Sequence, residues 1–321
     1  MPSEPMQTSL SMPYKRKLAE RGRLGRLLAD IKKNKVSYLF LAPYGIIFLF
    51  FTVLPVVISI GFSFTYYNIL EPPQWIGWRN YINLFLADEV FLISIKNTFL
   101  LAAITGSLGY FASFFFAWLI NELPRRIRPF FVLIFYAPAL AGYAVSQIWG
   151  ILFSGDAYGW MNGFLMKLGI IREPIYWLTD PNYMLPVLIV VVLWMSLSHG
   201  FLAFVAGLQT VDRSLYEAGY TDGIRNRWQE LWYITLPSMR PQLMFGAVMS
   251  ITSSFAIHDV LVPLVGFPST DYAAHTVVSH LVDYGSFRFE MGYASAIATV
   301  LFLVMVGTNK IVQRLLRKVG Q

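Results

Sequence analysis

Cysteine is absent from this chain of 321 residues, which excludes a disulfide framework and any thiolate-ligated metal site. Charge is also scarce, with Asp, Glu, Lys and Arg together making up 13% of the residues, about half the share of an ordinary soluble domain. No G-x-x-x-x-G-K-S/T phosphate loop occurs, so the chain does not bind ATP by that device. H-E-x-x-H is missing too, and the four histidines, at 199, 258, 275 and 280, form no ligand cluster. His275 and His280 are five apart, a poor helical spacing for a metal. A membrane-embedded enzyme would need a convergent acid, base, nucleophile or metal set, and none is visible.

What is present is apolar. Hydrophobic residues make up 56% and aromatics 17%, and the mean hydropathy is +0.54. Six runs are long enough to cross a hydrocarbon core, which takes about 20 helical residues: 36–64, 93–120, 129–153, 184–208, 243–267 and 292–312. The expected fold class is all-α, a polytopic membrane protein with six transmembrane helices. Pro55 and Pro263 predict kinks in the first and fifth runs. The organisation expected is a basic arm at 1–35, a membrane domain at 36–313 with a polar loop at 209–242, and a basic tail at 314–321. The net charge of +7 is unevenly placed. With the N-terminus inside, twenty Lys and Arg fall on the inner side and four on the outer, with Lys96 near a boundary. That bias places both termini and the 209–242 loop in the cytoplasm, and it points to a membrane surface rather than to nucleic acid.

The longest polar stretch in the second half is LYEAGYTDGIRNRWQELWYITLPSMRP, residues 215–241. Residues 215–220 read as a short helix, with Glu217 early in it near the positive end of the helix dipole. Asp222-Gly223 reads as a turn, because Gly tolerates positive φ and Asp bonds to nearby backbone. Residues 225–236 read as a second helix, with Trp228, Leu231, Trp232 and Leu236 at helical spacing, and Pro237 and Pro241 interrupt it. The order Glu217-Ala218-Gly219, Asp222-Gly223, then Ile234-Thr235-Leu236-Pro237 resembles the EAA loop of bacterial ABC-importer permeases. Gly219 replaces that motif's second Ala, and the span from Gly223 to Ile234 is one residue longer than its usual spacing. Further landmarks are similar to the same family: GWRNYINLF at 77–85, Asn97-Thr98, GWMNGFLMKLG at 159–169 and WLTDP at 177–181. The closest likeness is to the carbohydrate-type permeases, the maltose and glycerol-phosphate group.

The resemblance implies a type I importer permease fold in a bacterial inner membrane, supplying half of a sugar or oligosaccharide pathway. It also implies partners: a second permease subunit, two ATP-binding cassette subunits that hydrolyse ATP, an extracellular or periplasmic solute-binding protein, and membrane lipid. No cofactor is expected in this chain. Glu217, Ala218, Gly219, Asp222, Gly223 and Pro237 would make the coupling contact with an ATPase. The aromatics Trp160, Tyr176, Trp177 and Tyr183 of the outer loop suit either interfacial anchors or a docking surface for the binding protein.

Polar residues inside spans usually have a role. The fourth run carries Trp194, Ser196, Ser198 and His199; the fifth carries Ser250, Thr252, Ser253, Ser254, His258 and Asp259. Ser250, Ser254 and His258 would share one helix face. His258 and Asp259 form either a structural pair or, with Ser254 and a stacking Trp194, a saccharide path. An independent secondary transporter or channel is the alternative class; it would often carry intramembrane carboxylates and repeats, whereas Asp259 is alone and no repeat is evident.

Overall fold

The computed structural model describes residues 33–317 apart from His199. The basic arm before residue 33 and the tail beyond 317 lie outside the described residues. The chain divides after Ile58 into two units, and every element discussed below except the first helix belongs to the second. That first helix, α1, runs Lys35–Phe62. It does not break at Pro55. Instead, a π turn at Leu49–Val53 precedes the proline, widening the helix where the ring would otherwise crowd the carbonyl four residues back.

A two-residue ladder follows, β1 (Thr65–Tyr66) antiparallel to β2 (Gln74–Trp75), with Thr65 opposite Trp75. It is the only sheet among the described residues. Helix α2, Arg79–Leu86, leads to Asp88, whose carboxylate accepts the Phe91 N–H and caps α3. α3 is a continuous 33-residue helix, Glu89–Asn121, with a π turn at Ala102–Gly106.

The third apolar run is not a straight span. It forms α4 (Arg128–Ala141) and α5 (Tyr143–Leu152), bent by 95°. Gly142 sits between them at φ +48°, a backbone state that a side chain would disfavour. After α6 (Trp160–Lys167), Asp180 accepts the Asn182 N–H and caps α7, Pro181–Ser196; α8 (Phe201–Thr210) continues it.

The fifth run departs furthest from expectation. Helix α11, Arg240–Phe255, stops after 16 residues, about 24 Å of rise against a core of about 30 Å. Two causes coincide at its end. Thr252, Ser253 and Ser254 donate their hydroxyls to carbonyls one turn back, a local competition that favours helix ends and bends. The Ile257 carbonyl is then taken by the Thr276 hydroxyl at 3.1 Å, and helix resumes only at α12, Leu261–Val265. The chain closes with α13 (Val277–Val282), a π turn at Asp283–Phe287 and α14 (Met291–Leu316).

Four helical stretches among the described residues are long and apolar enough to cross a membrane: α1, α3, α7 with α8, and α14. Counting the bent α4–α5 pair as one span gives five. α3 organises the second unit. Ala117, Trp118 and Ile120 near its end pack with Phe201 and Phe204 of α8, and Phe91 at its start packs with Leu84, Val277 and Tyr293.

Candidate functional site

The polar loop folds as two short helices around Gly223. Asp212 accepts the Ser214 N–H at 3.0 Å and caps α9, Arg213–Thr221. Because the helix begins two residues before Leu215, Glu217 lies in its second turn, away from the dipole's positive end. Its carboxylate is exposed and makes no hydrogen bond or ion pair among the described residues. Ala218 is exposed beside it and Gly219 is buried. Asp222 ends the helix, and Gly223 reverses the chain at φ +93°, as the sequence predicts.

The second helix begins as α10, Arg227–Glu230, with Asn226 accepting the Gln229 N–H at 2.8 Å. It then widens into a π turn, Leu231–Thr235, and ends at Leu236–Ser238. Pro237 therefore does not interrupt it, since the wide turn gives the proline room; the break falls at Met239, and Pro241 sits in the first turn of α11. The π turn absorbs one residue more than an α turn, which matches the one-residue excess between Gly223 and Ile234. Ile234 is buried against Gly219: a Cβ at 219 would stand 2.7 Å from its Cδ1. The missing alanine methyl and the extra residue are thus complementary departures.

A polar network ties this loop to the end of α3. Glu230 is 4% exposed. It accepts from the Tyr220 hydroxyl at 2.8 Å and from the Arg227 guanidinium at 2.7 Å. Arg227 reaches on to Glu122 at 3.3 Å, and Trp228 packs on Trp118 with 5.2 Å between rings. The hydrogen bond to Glu230 pushes the Tyr220 phenol up and holds the Arg227 guanidinium above its ordinary value. Beside the network lies a cavity of about 710 Å³ lined by Glu217, Tyr220, Arg125 and Arg213 among others.

The four residues expected along a substrate path do not converge. Ser254 is buried in a helix contact, donating to the Ser250 carbonyl at 2.6 Å. Ser250 in turn donates to Gly106 of α3 at 2.9 Å. His258 lies three residues beyond α11, so it does not share a helical face with Ser254, and its Nδ1 stands 3.1 Å from the Ser279 hydroxyl. No ion pair joins it to Asp259, which is exposed. Both line a cavity of about 650 Å³ with Gly142, Met195 and Pro263. Trp194 lies instead in an apolar groove with Phe111, Phe115 and Val190, its ring edge-on to Trp149 at 5.6 Å. His199 lies outside the described residues.

The landmark asparagines act as hubs, Asn80 and Asn97 near the start of α3 and Asn162 in α6. Asn80 donates to the carbonyls of Ser63 and Thr65, both at 2.9 Å. Asn97 donates to Ala273 and His275 at 3.0 Å, while the Thr98 hydroxyl accepts the Val277 N–H. Asn162 joins Asp156, Ile175 and Trp177. Sequence reasoning missed the cluster around Asp88, which accepts from His280 and Tyr293 at 2.8 Å each. Burial raises this carboxyl, but bonds from His280, the Phe91 N–H and Tyr293 outweigh it and leave the group below its ordinary value. The available signal was an Asp-Glu pair before an apolar helix, the mark of an N-cap and an acidic first turn.

No family model matches the chain. Among known proteins it is similar to YesP of Bacillus subtilis, a probable ABC transporter permease protein, with 34% identity over 86% of this chain and 88% of that one. It is also similar to SmoG of Agrobacterium fabrum, a sulfoquinovosyl glycerol transport system permease protein, at 28% identity over 90% and 92%. In structure it resembles a chain of a bacterial ABC transporter that imports the acidic polysaccharide alginate, with a TM-score of 0.73 and 25% identity over 92% and 100% of the two chains. A second such chain, in a complex with an alginate pentasaccharide-bound periplasmic protein, gives 0.70. On sequence and fold together, the chain belongs to the ABC transporter permease proteins.

Proposed function

We propose that this chain is one of two membrane subunits of an ATP-driven importer for a sugar or oligosaccharide delivered by an extracellular or periplasmic binding protein. Six crossings follow if the bent α4–α5 pair and the divided α11–α12 segment each count as one. The Lys and Arg bias then puts both termini and α9 on the cytoplasmic side of the bacterial inner membrane. ATP hydrolysis lies on two separate subunits, and the chain itself uses no cofactor. The observation that carries the reading is α9: a short exposed helix offering an unpartnered Glu217 carboxylate, turned by Gly223 and held from behind by Gly219. Ala218 and Asp222 complete its contact face, while Pro237 lies within the helix that follows Gly223. The saccharide class rests on the cargo of the relatives named above. His258 and Asp259 are the path residues best supported by an open cavity; Ser254 supports the helix contact behind them, and Trp194 offers a separate apolar face. Co-purification of the chain with an ATPase, a second permease and a saccharide receptor, followed by hydrolysis measurements, tests this reading. Stimulation by the saccharide-loaded receptor is expected, and a chain that purifies alone and transports without ATP would overturn it.

A further inference from the structure

We propose that Glu230, Arg227 and Glu122 form the link through which movement of α9 reaches the membrane helices. The inference rests on the ATPase-contact reading of α9 and adds the route by which that contact acts. α9 has few ties to the rest of the chain: Tyr216 meets Thr235 at 3.0 Å, Gly219 meets Ile234, and Tyr220 donates to Glu230. All three ties end on the segment after Gly223, so a push on α9 is delivered first to that segment. From there one polar path leads to a membrane helix. Glu230 holds Arg227, and Arg227 holds Glu122, the residue that follows α3. The Trp228–Trp118 contact runs parallel to it.

The two ends of this path differ in kind. Glu230 is buried, and removing its cation would leave an uncompensated charge in the interior, which is strongly destabilising. The Arg227–Glu122 pair is half exposed, with side chains 59% and 41% accessible, and such a pair adds little to stability. Its geometry suits a connection that transmits displacement without being needed for folding.

The test uses the complete importer, reconstituted with ATPase, second permease and receptor, and carrying Glu122→Ala, Glu122→Gln or Glu122→Lys. The expected result is normal retention of the ATPase and normal basal hydrolysis, with saccharide moved per ATP falling about 5-fold or more in the Ala and Lys variants, the lower bound of typical site-to-site coupling. Glu122→Gln, which keeps a hydrogen-bond acceptor for Arg227, should fall between these and the parent. If the Lys variant fails to fold, the Ala variant decides. Transport per ATP equal to the parent in Glu122→Ala overturns the link. So does loss of the ATPase from Glu122→Ala, because the residue would then serve docking alone. A parent complex that shows no ATP-driven transport would sink the importer reading itself, independently of these variants.

Discussion

Glu217 stands on the outer face of α9 with no partner of its own, so reversing its charge should leave the fold intact and be felt by the docked subunit. Like charges brought together at an interface cost several kcal/mol, enough for Glu217→Lys to lose most of the ATPase in a pull-down from solubilised membranes. Full retention with normal transport would make α9 ordinary surface. Asp259 is likewise exposed and unpaired, so Asp259→Asn should change stability by less than about 0.5 kcal/mol while altering saccharide uptake; unchanged uptake in well-expressed protein removes it from the path. His275 behaves differently. Burial, aided by His280, pushes its imidazole from 6.5 down to about 4. Its folded pKa lies below the unfolded one, so the unfolded chain binds the extra proton between these values. Stability should therefore fall as pH drops from about 6.5 to about 4. Thermal unfolding of His275→Gln across that window should show a flatter dependence, and an identical slope would dismiss the residue as the cause.

The π turn at Leu231–Thr235 and Gly219 make their prediction jointly. Gly219→Ala would place a methyl against Ile234 Cδ1 and should cost about 1–2 kcal/mol. Gly219→Ala with Ile234→Val should recover most of that loss, and additive losses in chemical denaturation would refute the pairing. Much of this loop was legible in the sequence because its signals are local: Asp-Gly for the turn and apolar spacing for the second helix. Its prolines were misread because a π turn leaves no mark in composition. The same limit explains α11. Its end depends on the Thr276 hydroxyl reaching Ile257 from 19 positions away, which no local pattern encodes. Gly142 hid the bend of α4 and α5 in the same way, since one glycine within an apolar run reads as continuous helix. Of the candidate path, the polar residues were visible but their separation was not, because helical periodicity was extended past the point where α11 stops.

At the scale of the molecule, the natural lack of cysteine gives a clean labelling background. With Ser3→Cys and Gln321→Cys, membrane-impermeant reagents should mark neither end in intact cells, whereas Tyr158→Cys, at a position 98% exposed, should be marked readily. Labelling of either terminus from outside would reverse or break the proposed six-crossing arrangement. α3 has the larger consequence. It is a rod of about 50 Å at 1.5 Å per residue, fastened at one end to Asp88, His280 and Tyr293 and at the other to Glu122 and Arg227. Midway, where its π turn loosens the winding, Ser250 grips the Gly106 carbonyl. A helix held at both ends and gripped at its middle would act as a beam: a displacement at Glu122 would tilt it about Gly106 and reach Asp88 with the opposite sense.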